Sequence, residues 1–213
     1  MVKLNPSKYL LVIGNSPSVL NYNLGMVIDL FGDIVRFNNY ITEGYEKYIG
    51  SKTTIWARSN SKATKDRKNL DQFKRIIICS PAWNMKATIP LSKRFPKSEV
   101  VPLRMVTDLE RQMGLSGTRV NKGNRVGGWP SSGLILLYYL LTSHKPIYIH
   151  GFDYFMPVDG KPRHYYNNKE EIKAKSHNSK EEKKWIENQI RKGRLRWLVE
   201  DASNMINLKD LVI

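Results

Sequence analysis

Short apolar runs alternate along this chain with segments whose apolar residues recur every three or four positions. Leu10-Leu11-Val12-Ile13 is an unbroken apolar run that ends in the small polar turn Gly14-Asn15-Ser16-Pro17-Ser18. A run of that length bounded by turn residues predicts a strand buried on both faces. Similar runs at residues 34–37, 53–57, 75–79, 100–103, 146–150 and 205–208 predict further strands. Residues 21–32 place Leu24, Val27, Ile28 and Phe31 at helical spacing, with Gly32 where a C-cap would stand. Helices are also expected over 59–73, which is charged, over 105–113, over the strongly apolar 130–143, and over 179–198, where Gly193 is a break. Pro90 and Pro96 punctuate residues 82–98, which are expected to be irregular. Residues 115–128 are rich in glycine and basic side chains and predict a loop. Residues 157–176 form a second, long polar loop of the kind that closes over active sites. Strands and helices alternate throughout, which predicts an α/β fold with a mainly parallel sheet flanked by helices. With no repeat and no linker visible, residues 1–213 are expected to form one domain with a lid at 155–178.

Ligands of open α/β sheets sit outside the carboxyl ends of the strands, so the polar residues just past each run are the candidates for chemistry. Gly14 permits a tight turn and close approach of a ligand, and Asn15 and Ser16 set short hydrogen-bonding groups beside it. The spacing is neither GxGxxG nor a P-loop. Asn38 ends the second run, and an amide both donates and accepts, which suits phosphate and ribose; it is equally at home as a turn residue. Pro130-Ser131-Ser132-Gly133 opens a helix, where Ser131 or Ser132 is a natural N-cap and the uncapped N–H groups favour an anion. His164, with Tyr165 and Tyr166, and His177 lie in the expected lid. Glu182 stands three residues after Ser179, the spacing of a capping box. A helix N-terminus beside His177 disfavours a positive imidazole, and a neutral imidazole is a competent general base near pH 7. Asp153 is isolated from other carboxylates, and no cluster has metal-ligand spacing, so no metal and no cofactor are expected.

Composition changes the picture in two respects. The 213 residues carry a formal net charge of +16, which favours anionic partners: phosphorylated substrates, anionic membrane surfaces or nucleic acid. Much of the excess lies in residues 62–74 and 161–196, where solvated helix faces and loops also account for it. No run of about 18 apolar residues marks a membrane span and no signal peptide is expected. The lone cysteine, Cys79, excludes an internal disulfide and favours a reducing compartment.

Four blocks of this sequence, in order, resemble the sialylmotifs of the eukaryote-type sialyltransferases, glycosyltransferase family 29. Residues 10–58, with Gly14-Asn15-Ser16, Leu24-Gly25, Ile28-Asp29, Val35-Arg36, Asn38 and Gly50-Ser51-Lys52-Thr53-Thr54, resemble the large motif. Pro130-Ser131-Ser132-Gly133-Leu134 through Ile149, Gly151 and Phe152 resembles the small motif. His164-Tyr165-Tyr166 resembles the third, and His177 with Glu182 after four intervening residues resembles the very small motif. A weaker likeness to bacterial sialyltransferases of family 42 covers the glycine-asparagine corner, the Ser-Ser-Gly helix start and the lid histidine.

The resemblance implies a single Rossmann-like glycosyltransferase domain of variant GT-A type that transfers sialic acid from CMP-sialic acid to a glycan or glycolipid, inverting and without metal. It implies that Gly14, Asn15, Ser16 and Asn38 meet phosphate and ribose. It also implies that Ser131, Ser132 and Gly133 hold cytidine and the sugar carboxylate. His164, with Tyr165 and Tyr166, would assist the departing phosphate; His177 would deprotonate the acceptor; Glu182 and Asp153 would support the site. The positions matching the family's disulfide lie near Leu10 and His144, neither of them cysteine. That departure, with no Golgi anchor or stem visible, leads us to expect a bacterial or viral enzyme of the cytoplasm, held at an anionic membrane surface by its charge. The spacing from His164 to His177 is shorter than the family's. Two other functions remain open on the sequence: a transferase using another CMP-activated acid sugar such as CMP-Kdo, and a basic nucleic-acid-binding module, for which no motif is present.

Overall fold

Each apolar run is too short to make a stable helix alone but long enough to cross a sheet buried on both sides, and five such central strands, with the less buried edge strands at 98–100 and 195–197, pair in parallel. The computed structural model describes residues 5–81, 85–115, 128–144, 146–154, 164–166 and 177–205, with the backbone alone at 85–89. The strands are β1 (Leu10–Ile13), β2 (Asp33–Phe37), β3 (Ile55–Arg58), β4 (Arg75–Ile78), β5 (Ser98–Val100), β6 (Ile147–His150) and β7 (Leu195–Trp197). Their order is β5-β4-β3-β2-β1-β6-β7, and every pairing is parallel. Leu10 faces both Asp33 and Ile147 in register, so β1 is the middle of the sheet's most buried section.

Side chains alternate between two faces, as strand geometry requires. Leu10, Val12, Val35, Phe37, Ile55, Ala57, Ile77, Ile147 and Ile149 form one layer with α4 (Leu103–Gln112), α5 (Ser132–Leu140) and α6 (Ser179–Arg191). Leu11, Ile13, Ile34 and Tyr148 face α1 (Gly25–Asp29), α2 (Glu46–Ile49) and α7 (Leu198–Asp201). Trp56, Ile76 and Ile78 meet Leu91 and Phe95 at and just past the end of α3 (Met85–Arg94). Each such large side chain contributes about 1.5–3 kcal/mol by leaving water. Arg36 also lies in the β2 interior, and carbonyls receive its guanidinium: those of Ile49 (2.5 Å), Gly50 (3.2 Å) and Lys52 (3.3 Å), with the Thr53 hydroxyl at 3.1 Å. Asp29 accepts from the Ser51 and Lys52 backbone N–H groups at 3.0 and 2.9 Å. The motif residues 49–53 therefore brace the fold.

Several local expectations give way to tertiary contacts. Residues 59–73 form no α-helix; turns lead to a 3₁₀ turn at Leu70–Gln72. Asn39 holds that segment by accepting from Lys65 N at 2.8 Å and donating to the Ala63 carbonyl at 2.9 Å. The irregular stretch expected at 82–98 contains α3, with Pro90 inside it. Burial of Leu91 and Phe95 against Trp56 outweighs the bond that the proline removes. The helix expected over 21–32 shortens to α1 after a 3₁₀ turn at Pro17–Asn21. The last helix stops at Arg191, Gly193 takes φ +65°, and β7 closes the sheet at 195–197. The strand expected at 205–208 lies outside the described residues from 206 on, as do 116–127 of the glycine-rich loop and 155–163 and 167–176 of the expected lid.

Candidate functional site

The sheet's order reverses between β1 and β6, and the two strands end there in Gly14 and Gly151. The Gly14 N–H donates to the His150 carbonyl at 2.8 Å, and the Ser16 N–H to the Gly151 carbonyl at 3.4 Å. The two glycines lie so close that a Cβ on residue 14 would stand 2.0 Å from the Gly151 carbonyl oxygen, and Gly151 has φ +72°. Any side chain at 14 would push the two turns apart. A crevice at such a switch point is where open α/β sheets take their ligands.

Polar groups converge on this corner from four elements. Asn15 donates its amide N–H to the Phe37 carbonyl (3.3 Å) and to the Tyr166 hydroxyl (3.4 Å), and its backbone carbonyl accepts from Tyr165 N (3.0 Å). Asn38, just past β2, adopts φ +49°, and its amide oxygen accepts from Ser59 N (2.8 Å) and the Thr64 hydroxyl (3.4 Å). An asparagine tolerates that left-handed backbone better than most residues. Ser16 and Asp153 join the β1 and β6 turns. The Ser16 hydroxyl accepts from Asp153 N at 3.1 Å, and the Asp153 carboxylate accepts from Ser18 N at 3.1 Å and from the Ser18 hydroxyl. Both brace the crevice through contacts within the protein.

The start of α5 forms the next wall. Ser131 is its N-cap: the hydroxyl accepts from Leu134 N at 3.2 Å. The same hydroxyl donates to one oxygen of Glu182 at 2.7 Å, and the Ser131 N–H donates to the other at 2.7 Å. Glu182 is 3% exposed, and burial pushes its carboxyl up to about 7 against the pull of the two Ser131 bonds. The expected capping box within α6 does not form. Asn178 is the N-cap, accepting from Glu181 N at 3.2 Å, because Glu182 turns away to Ser131. Ser132 donates to the Cys79 carbonyl at 3.5 Å, and a Cβ at Gly133 would stand 3.2 Å from the Phe152 ring.

The third-motif residues divide. Tyr165 is 3% exposed; its hydroxyl donates to the Ile41 carbonyl (2.5 Å) and accepts from Ile41 N (3.2 Å). Burial raises that phenol to about 12, so Tyr165 is an anchor beneath the corner. Tyr166 keeps its hydroxyl at Asn15, and its ring stacks on His164, with centroids 5.3 Å apart and planes 6° apart. His177 joins Trp129 in a parallel bridge, with Nδ1 3.2 Å from the Trp129 carbonyl. A carbonyl only accepts, so that bond places a proton on Nδ1 and makes Nε2 the basic nitrogen of the neutral ring. Trp129 is two residues before the α5 N-cap, which holds His177 at the α5 end of the same edge. Sequence reasoning missed the roles of Trp129, the Phe37 carbonyl and the Ser131–Glu182 pair, since none has a local signal. Among the described residues no group of three His, Cys, Asp or Glu side chains could hold a metal ion.

The profile of glycosyltransferase family 29 (sialyltransferase) matches residues 8–194. The chain is similar to the human CMP-N-acetylneuraminate-beta-1,4-galactoside alpha-2,3-sialyltransferase, 25% identical over 199 residues, covering 83% of this chain and 53% of that protein. It thus spans about half the length of the curated relative it matches. Among solved structures it is similar to a mammalian sialyltransferase in complex with Gal-beta-1-3GalNAc-ortho-nitrophenol, with TM-score 0.64, 18% identity, and coverage of 89% of this chain and 68% of that one. It is also similar to the sialyltransferase CstII from Campylobacter jejuni in complex with cytidine-5'-monophosphate, with TM-score 0.59, 18% identity, and coverage of 89% and 79%.

Proposed function

The chain belongs to glycosyltransferase family 29, the sialyltransferases, and from that membership we propose that it transfers sialic acid from CMP-sialic acid to a hydroxyl of a glycan, with inversion and without a metal. What supports the reading is that Asn15 and Asn38 stand just past β1 and β2 at the sheet edge that the α5 N-terminus also borders, with His177 bonded to Trp129 two residues before the α5 N-cap. Asn15 and Asn38 contact the phosphate and ribose; the α5 start at Ser131, Ser132 and Gly133 holds the cytidine and the sugar carboxylate. His177 Nε2 takes the acceptor's proton as its oxygen bonds to the anomeric carbon. The bond from that carbon to the phosphate oxygen breaks on the opposite face, and its electron pair leaves with CMP. His164 and Tyr166 donate to that phosphate, and the positive end of α5 favours the negative charge. A monophosphate leaving group stabilised in this way has its charge met by hydrogen bonds, so the reaction needs no divalent cation. A neutral His177 supplies the base.

The test is transfer from CMP-sialic acid in the presence of a chelator. Full rate is expected there, and His177→Ala lowers kcat about 10²–10⁴-fold with little change in donor KM. Loss of rate on chelation refutes metal independence, and a His177→Ala protein at full rate removes the base assignment. A donor panel with CMP-Kdo separates the sialic acid reading from the other CMP-activated acid sugars. Thermal shift with CMP, and none with UDP, identifies the nucleotide.

A further inference from the structure

Past the end of β3 the same sheet edge opens into a cavity of about 450 Å³, within the size range of small-molecule sites. Arg58, Asn60, Lys62, Thr64, Asp66 and Arg94 line it, and none of the donor-contacting residues proposed above does. Three cations share the cavity with one carboxylate, which leaves a net positive lining. The cavity shares a wall with the proposed nucleotide corner, because the Thr64 hydroxyl and Ser59 N both donate to the Asn38 amide oxygen.

Arg58 is the fixed part of this lining. Its side chain is 3% exposed, and its guanidinium lies over the Trp56 ring at 5.3 Å and the Phe95 ring at 4.9 Å. It donates to the Ser59 carbonyl (3.2 Å), the Thr64 carbonyl (3.3 Å) and Asp66 (2.5 Å). The second oxygen of Asp66 receives Arg94 from α3, which ties that exposed side chain to the cavity. Lys62 is exposed and makes no ion pair with any described residue. Asp66 balances one of the three cations, so an incoming anion meets two uncompensated positive charges, one of them held in place.

We infer that this cavity is an acceptor subsite for an anionic sugar substituent: the acceptor offers its hydroxyl at the nucleotide corner while a carboxylate or phosphate on the neighbouring sugar lies between Lys62 and Arg94. The inference rests on the transferase reading above. Charge-assisted bonds to two cations at a half-enclosed site give about a tenfold preference over a neutral sugar at low salt.

The test is calorimetric titration of the whole chain, with CMP present, using lactose, galactosyl-glucuronic acid and lactose phosphorylated on its glucose. Both anionic disaccharides are expected to bind about tenfold more tightly than lactose, with the gap narrowing as salt is raised. In Lys62→Ala/Arg94→Ala the gap falls to within about twofold while CMP affinity stays unchanged. The charge-keeping Lys62→Arg/Arg94→Lys protein retains most of the preference. Preference for only one anionic sugar assigns the site to carboxylate or to phosphate. Equal affinity for all three disaccharides overturns the inference, as does a double alanine variant that weakens CMP in place of the disaccharides. Should that variant unfold, the charge-keeping variant and the salt titration of the native chain decide between these outcomes. Anionic disaccharide binding without CMP binding refutes the donor reading and leaves the subsite standing.

Discussion

Replacing Glu182 with glutamine should change how stability depends on pH. The carboxyl is buried and raised from 4.5 to about 7 in the folded chain, so between those values the folded state binds more protons than the unfolded state. Stability from this group is therefore fully present below about pH 4.5 and is lost as pH rises through 7. A shift of that size is worth about 3 kcal/mol by pH 7. His150 acts in the opposite sense: burial lowers it from 6.5 to about 4, so its contribution is present above 6.5 and lost on acidification. Its magnitude is also about 3 kcal/mol. The two slopes oppose each other between about pH 4.5 and 6.5, and the native chain should be nearly flat there. Asp33 and Glu99, both lowered and partly exposed, add their loss in more acidic solution. Glutamine keeps the shape of Glu182, accepts from Ser131 N and donates to the Ser131 hydroxyl. Glu182→Gln should therefore gain about 3 kcal/mol relative to the native chain from pH 4.5 to 7, read as a urea midpoint difference of about 1 M. Parallel midpoint curves for the two proteins would refute the reasoning. They would mean that the two Ser131 donors and the α5 dipole keep the carboxylate ionised despite its burial.

Three further outcomes follow from the same contacts. Ser131→Ala removes the α5 cap and a partner of a buried carboxyl, and should lower stability by about 2–4 kcal/mol in chemical denaturation. Gly14→Ala places a methyl group 2.0 Å from the Gly151 carbonyl, so the melting temperature and the CMP-induced thermal shift should both fall, and an unchanged shift would show that the corner does not shape the nucleotide site. Cys79 is fully buried with its thiol pushed well above its ordinary value, so a thiol reagent should label it only at the rate of unfolding, measured against denaturant concentration.

The sequence by itself determined the parallel α/β architecture, most of its strands and the edge on which the candidate site is sought, while β7 at Leu195–Trp197 lay hidden inside an expected helix. Apolar runs such as 10–13 and 147–150 are strands because both their faces lie in a core, and that demand is written in consecutive residues. The residues that end them must fall at one edge, so Gly14, Asn15 and Asn38 were legible as candidates and Ser131 as a helix cap, as was the family from its four ordered blocks. Partners distant along the chain were not. Glu182 suits a local capping box but bonds Ser131, 51 positions away, because only the folded chain buries the two together. Residues 59–73 have a helix-like composition, yet Asn39, across the sheet edge, holds them as turns, and α3 persists through Pro90 because Trp56 awaits Leu91 and Phe95. Helix propensities differ by tenths of a kcal/mol per residue, whereas one buried aromatic or one satisfied buried carboxyl is worth several times that. Where the two conflict, the tertiary contact decides.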